Sequence, residues 1–136
     1  MKESQARIYI IDDDPGVLFL HKIMVKEGKL SDDPITHSDA GKAFESILLL
    51  DKHSSRILVF LDINMPHIDG WDFLDLLENN VNHADIKVIM VTSSLSKADR
   101  EKSKEFARVI DFWEKPIDEE QVAVLKSKLG DWLLSS

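Results

Sequence analysis

Four apolar runs in this 136-residue chain end in residues able to do chemistry. Ile8-Tyr9-Ile10-Ile11 leads into Asp12, Asp13 and Asp14, and Ile57 to Leu61 leads into Asp62. Val88 to Val91 is followed by Thr92, Ser93 and Ser94, and Val109 to Trp113 by Glu114-Lys115-Pro116. Carboxylates gathered in one cleft repel and raise one another's pKa. A hard divalent cation relieves the repulsion, and an all-oxygen donor set suits magnesium. Such an ion, a lysine and a hydroxyl beside a carboxylate suit phosphoryl transfer. Ion and lysine offset charge on the equatorial oxygens while the carboxylate attacks in line. Asp62 is the natural nucleophile, ending the central strand with Asp12 and Asp13 beside it. A cis Lys115–Pro116 bond would aim the amine back into the cleft, although trans is the ordinary form.

The runs ending at Ile11, Leu61 and Val91 are β-branched-rich and do not alternate polar with apolar. That pattern fits strands buried on both faces of a parallel sheet. Ile35 to Ser38 and Val109 to Trp113 are weaker strand candidates. Asp14-Pro15 reads as an N-cap and a first-position proline, opening a helix to about Glu27. Ala43, Phe44, Ile47, Leu48 and Leu50 form the stripe of a second helix. A third runs from Trp71 through Leu74 and Leu77 to near Asn79-Asn80. A fourth, from about Lys97 to Phe106, is charged with few apolar positions and reads as a solvated face. The fifth opens at Asp118, with Gln121 completing a capping box, and carries Val122, Leu125, Leu129, Trp132 and Leu133. Asp32-Asp33-Pro34 is a turn. Five β-then-α units imply right-handed crossovers and a doubly wound α/β fold with an open parallel sheet. Ligands bind such sheets beyond the carboxyl ends of the strands, where the residues above fall.

The length gives one domain, spanning 1–136 with a core of about 7–134. A formal charge of −8 argues against nucleic acid and anionic membrane as direct partners, since both need a basic footprint. Absence of cysteine removes disulfides, thiolate nucleophiles and cysteine-held zinc. The N-terminal apolar run is too short for a signal peptide, and no run is long enough to span a bilayer. The expectation is a soluble cytoplasmic protein. His21 lies near an apolar stripe and reads as packed; His37, His53, His67 and His83 lack metal-ligand spacing and read as surface residues.

Taken in order, these residues resemble the receiver domain of two-component response regulators, over Ile8 to about Leu134. The resemblance rests on Asp12-Asp13, on Asp62 with Met65-Pro66 and Asp69-Gly70, and on Thr92 and Lys115-Pro116. It implies a flavodoxin-like (βα)5 fold with strand order 2-1-3-4-5. Asp62 would accept a phosphoryl group from a phosphohistidine on a sensor histidine kinase or a histidine phosphotransfer protein. Magnesium would be held by Asp13, Asp62 and the backbone carbonyl of Asn64, with Asp12 assisting. Lys115 would pair with the phosphoryl oxygens, and Thr92 would swing its hydroxyl toward them. Phe112 would be the aromatic that turns inward on activation. The face of the fourth helix, fifth strand and fifth helix would then change its protein partners, and it offers a route to dimerisation. Trp113, larger than the aliphatic residue usual at its position, is expected to fill core space between sheet and helix.

Only Ser135 and Ser136 follow the last helix, so the expectation is a receiver without an output domain, signalling through an unknown downstream protein. A magnesium-dependent phosphohydrolase is the rival reading. It would need a second aspartate two residues after the nucleophile, where Asn64 stands, and a cap this chain has no room for. A flavin carrier would need a hydroxyl- and glycine-rich loop after the first strand, which is absent. The resemblance to receiver domains also implies that Asn64 and Ser94, each two residues beyond a site residue, tune the lifetime of the aspartyl phosphate.

Overall fold

Strands and helices alternate along the chain in the computed structural model, which describes residues 5–93 and 96–133. The elements are β1 (Arg7–Ile11), α1 (Pro15–Glu27), β2 (Ile35–His37), α2 (Ala40–Leu48), β3 (Arg56–Asp62), α3 (Gly70–Asn80), β4 (Asp85–Thr92), α4 (Lys97–Ser103), β5 (Val109–Glu114) and α5 (Glu119–Leu129). A 3₁₀ turn, Gly130–Trp132, follows. All neighbouring strands are parallel, in the order β2-β1-β3-β4-β5, the flavodoxin-like arrangement. No helix among the described residues is long and apolar enough to cross a membrane.

The unbroken apolar runs are explained by two cores, one on each face of the sheet. Tyr9, Ile11, Val59, Leu61, Val88 and Met90 face α2 and α3, packing on Ala43, Ile47, Phe73 and Leu77. The alternate residues Ile8, Ile10, Leu58, Phe60, Ile89 and Val91 face α1 and α5, packing on Leu18, Val25, Val122 and Leu125. Period-two alternation is present, but with both faces covered it leaves no polar mark.

Aspartates start four of the five helices. Asp14 and Asp39 each accept two backbone N–H bonds, while Asp69 and Asp118 sit in capping boxes with Asp72 and Gln121. Part of the acidic excess is therefore structural, because a carboxylate at an N-cap also faces the positive end of the helix dipole.

Three helix expectations need correction. In α2 the buried positions are Ala40, Ala43 and Ile47, whereas Leu48 is exposed and Leu50 lies past the helix end. Leu48 is one residue, about 100° of rotation, off that stripe. Helix α4 stops at Ser103, and Phe106 leaves it to stack on Trp71 at 5.9 Å between ring centroids. Trp132 and Leu133 lie beyond α5, which Gly130 ends with a φ of +48°, a conformation glycine tolerates. Trp132 instead clasps the amino edge of the sheet. Its indole N–H donates to Asp85 at 2.7 Å, its carbonyl accepts from Arg56, and Lys87 lies 5.1 Å over its ring.

The β4–β5 pairing has one irregularity. Val88 pairs with Val109 but Ile89 pairs with Asp111, leaving Ile110 as the extra residue of a bulge. One inserted residue reverses which face every later side chain takes. Phe112 thereby joins the α2/α3-side core, and Trp113 fills the core on the α1/α5 side, 5.8 Å from Phe60.

Candidate phosphoryl-transfer site

Parallel pairing of β1, β3, β4 and β5 brings their carboxyl ends to one edge. Asp12 follows β1 directly, Asp62 and Thr92 are the last residues of β3 and β4, and Lys115 follows β5. The Lys115 amine bridges the two inner carboxylates, 2.6 Å from Asp12 Oδ2 and 3.1 Å from Asp62 Oδ1. Asp12 is further held through Oδ1, which accepts the Asp14 backbone N–H at 2.9 Å. A carboxylate oxygen from each of Asp12, Asp13 and Asp62 lies within 4.8 Å of the others. Asp12 and Asp62 are buried and Asp13 is exposed, so the cluster opens to solvent on the Asp13 side. The Lys115–Pro116 bond is cis.

Thr92 is buried at the same edge, and its carbonyl accepts the Lys115 backbone N–H at 2.7 Å. Asn64 sits exposed in the β3–α3 loop, two residues beyond Asp62. Phe112 is turned inward and nearly fully buried, with the Arg100 guanidinium 5.2 Å over its ring. Ser94 lies outside the described residues.

Burial, and then the neighbouring Asp12 charge, push the Asp62 carboxyl above its ordinary pKa, with the Lys115 amine pulling the other way. For Lys115, burial works against the charge, but the hydrogen bond and charge of Asp12 outweigh it, and its pKa rises. One amine thus bridges two carboxylates of a cluster of three. The donor chemistry fits a hard divalent cation: all-oxygen ligands, net negative charge and an open side through which bound water can remain.

His21 is the residue whose part the sequence understated. It is packed, as its place on the α1 stripe with Leu18 and Val25 suggests, but it also makes a buried hydrogen bond to the next loop. Its Nε2 accepts the Ile117 backbone N–H at 3.2 Å. The available signal was a polar residue at a stripe position (Leu18, His21 and Val25 are spaced by three and four). Burial pushes the imidazole down to about 4, with Asp12 opposing and Lys115 assisting.

Acid stability follows from that shift. As pH falls from 6.5 toward about 4, the unfolded chain takes up a proton at His21 before the folded one does. This contribution is neutral above the unfolded pKa and removes about 3 kcal/mol across the window. The raised Asp62 acts oppositely, since the folded state there takes up its proton first. His21→Gln is expected to flatten the acid loss in urea denaturation measured at several pH values. An unchanged slope would assign the loss to other groups.

The remaining histidines are partly or wholly exposed, as expected, although His37 stacks on Tyr9 and His53 lies 4.4 Å from His83 between ring centroids. Helix α4 is not simply a solvated face. Its Arg100 and Lys102 lie over Phe112 and Trp71, attaching a helix with few apolar residues by cation–π contact.

Comparison with known proteins agrees with this geometry. Residues 8–125 match the response regulator receiver domain family. Over 98 residues the chain is 30% identical to protein PilG of Pseudomonas aeruginosa, covering 72% of this chain and 68% of PilG. A two-component response regulator from Cytophaga hutchinsonii superposes with a TM-score of 0.77 at 25% identity, covering 93% of this chain and 97% of the other. A CheY-like receiver domain protein from Methanospirillum hungatei gives 0.65 at 26% identity, over 96% and 98% of the two chains. The chain belongs to the response regulator receiver domains, phosphoryl-accepting signalling modules of two-component systems.

Proposed function

We propose that Asp62 is the phosphoryl acceptor, taking its group from a phosphohistidine on a sensor histidine kinase or a histidine phosphotransfer protein. The bridge from Lys115 to Asp12 and Asp62 carries this reading, because it puts a cation within reach of any phosphoryl oxygen on Asp62. An oxygen of ionised Asp62 forms the new P–O bond in line with the breaking P–N bond. The electron pair of that bond returns to the donor imidazole. Lys115 offsets charge on the phosphoryl oxygens, and the Thr92 hydroxyl turns toward them. Asp12, Asp13, Asp62 and the backbone carbonyl of Asn64 would hold magnesium, which when bound supplies positive charge against the same oxygens.

Phosphorylation replaces the single charge of the Asp62 carboxylate with the close to two of an acyl phosphate, a net gain of about one negative charge beside an amine that already bridges two carboxylates. Lys115 and Thr92 are drawn to the new group, and the Thr92/Phe112 pair converts that local change into a new α4–β5–α5 surface. That surface engages the downstream protein or a second receiver. Substitution of Asn64 or Ser94 changes the lifetime of the aspartyl phosphate more than it changes magnesium affinity. Equal changes in both quantities would count against that assignment.

The test is an intact mass after incubation with magnesium and a small acyl phosphate. A magnesium-dependent, base-labile gain of one phosphoryl group is expected, and none in Asp62→Asn. An adduct surviving in Asp62→Asn would move the acceptor elsewhere. If no adduct accumulates, beryllium fluoride, which mimics the acyl phosphate, is expected to shift the Thr92 and Phe112 resonances. Silence in both experiments would overturn the proposal.

A further inference from the structure

Every backbone donor of the strap that carries Lys115 has a partner, and one partner is unusual. The Lys115 N–H donates to the Thr92 carbonyl at 2.7 Å, Pro116 has no N–H, and the Asp118 N–H donates to Gln121 Oε1 at 3.1 Å. Between them the Ile117 N–H reaches no backbone acceptor; it donates to His21 Nε2, 3.2 Å away on α1. Both residues are buried, with Ile117 packed into the α1/α5-side core. The strap is therefore pinned at two points, to β4 on one side of the Lys115 side chain and to α1 on the other.

We propose that His21 is a positioning residue for Lys115, fixing through Ile117 where the amine stands between Asp12 and Asp62. The proposal rests on the reading of Asp62 and Lys115 as the phosphoryl site. Accepting an N–H requires Nε2 to be unprotonated, which assigns the proton of the neutral ring to Nδ1. Burial keeps the ring neutral at physiological pH, its pKa lying at about 4. Neutrality matters at this place. A carboxylate would repel the nearby Asp12, and a cation would compete with Lys115 for the same carboxylates. An uncharged side-chain acceptor of this reach holds the strap without altering the charge of the acidic pocket.

The experiment compares His21→Gln, which keeps a neutral acceptor, with His21→Leu, which keeps bulk but accepts nothing. With acetyl phosphate and saturating magnesium, His21→Leu is expected to phosphorylate about tenfold more slowly, as small misplacement of a catalytic group does. His21→Gln is expected to stay within about twofold of wild type, and all three proteins to bind magnesium alike. A wild-type rate in His21→Leu, a His21→Gln as slow as His21→Leu, or magnesium affinity falling in step with rate would overturn the proposal.

Two readouts do not need phosphorylation. Nitrogen NMR should show His21 protonated on Nδ1 alone, and the Ile117 amide should exchange faster in His21→Leu but not in His21→Gln. The Lys115 amine resonance should move with Ile117 exchange. If wild type neither forms an adduct nor responds to beryllium fluoride, the phosphoryl reading fails on its own. An Nε2-protonated ring, or a Lys115 resonance indifferent to loss of the acceptor, would still refute the positioning role.

Discussion

Gly70→Ala is expected to lower stability by about 2–3 kcal/mol and to slow phosphoryl acceptance as well. A Cβ at Gly70 would stand 2.7 Å from the Asp62 carbonyl oxygen and 3.0 Å from the Ile63 Cα. Both are backbone atoms, so no side-chain rotation relieves the overlap. The Gly70 N–H also donates to the Ile63 carbonyl at 2.8 Å, seating the start of α3 against the segment that leaves Asp62. The glycine is needed for close approach; a methyl group there pushes on the backbone that aims the acceptor carboxylate. Gly28→Ala is the control. Its Cβ would meet Val122 Cγ1 at 2.2 Å in the opposite layer, remote from the acceptor loop. Urea midpoints should fall for both variants, but the phosphorylation rate of the folded protein only for Gly70→Ala. Equal rates in the two would mean that α3 docking does not aim Asp62.

That comparison bears on what the sequence disclosed. In the sequence, Asp69-Gly70 figures only as part of the receiver resemblance; the Asp69 cap and the close approach that excludes a Cβ at Gly70 belong to the folded structure. The strand ends were legible for a different reason. A parallel sheet under two helical layers forces continuous apolar strands, so the first polar residue after each run marks the carboxyl edge. Asp12, Asp62, Thr92 and Lys115 all fall there. Caps were legible where a local side-chain bond sets them, as at Asp14 and Asp118.

What escaped notice depends on contacts between distant segments. The bulge at Ile110 answers to the pairing of β4 with β5, and nothing in Val109-Ile110-Asp111-Phe112 announces it. Helix α4 lacks an apolar stripe because Arg100 and Lys102 pack on Phe112 and Trp71, rings supplied from elsewhere in the chain. The reach of His21 to Ile117 spans 96 positions, and no local pattern encodes it.

Lys115→Met tests the electrostatic balance of the site. Without magnesium at neutral pH it is expected to lose roughly 2–3 kcal/mol, below the range for breaking a fully buried pair because the amine keeps some contact with water. The loss comes from leaving Asp12 and Asp62 close together and nearly dry, since the methionine replaces the hydrocarbon stem but not the charge. Two consequences separate this from a packing defect. Adding Asp12→Asn to Lys115→Met should recover part of the stability, because it removes one of the two repelling charges. Magnesium should stabilise Lys115→Met more than wild type, since the ion then meets carboxylates with no amine between them. The same substitution is expected to slow acceptance from acetyl phosphate by about a hundredfold or more, as loss of a charged donor at a developing charge does. Greater stability gained from magnesium together with slower chemistry is the signature of a lysine that both holds the carboxylates in the resting state and serves the phosphoryl group. If Lys115→Met matched wild type in stability and in its response to magnesium, the bridge would contribute nothing, and the amine would not be offsetting the burial and the Asp12 charge that raise the Asp62 carboxyl.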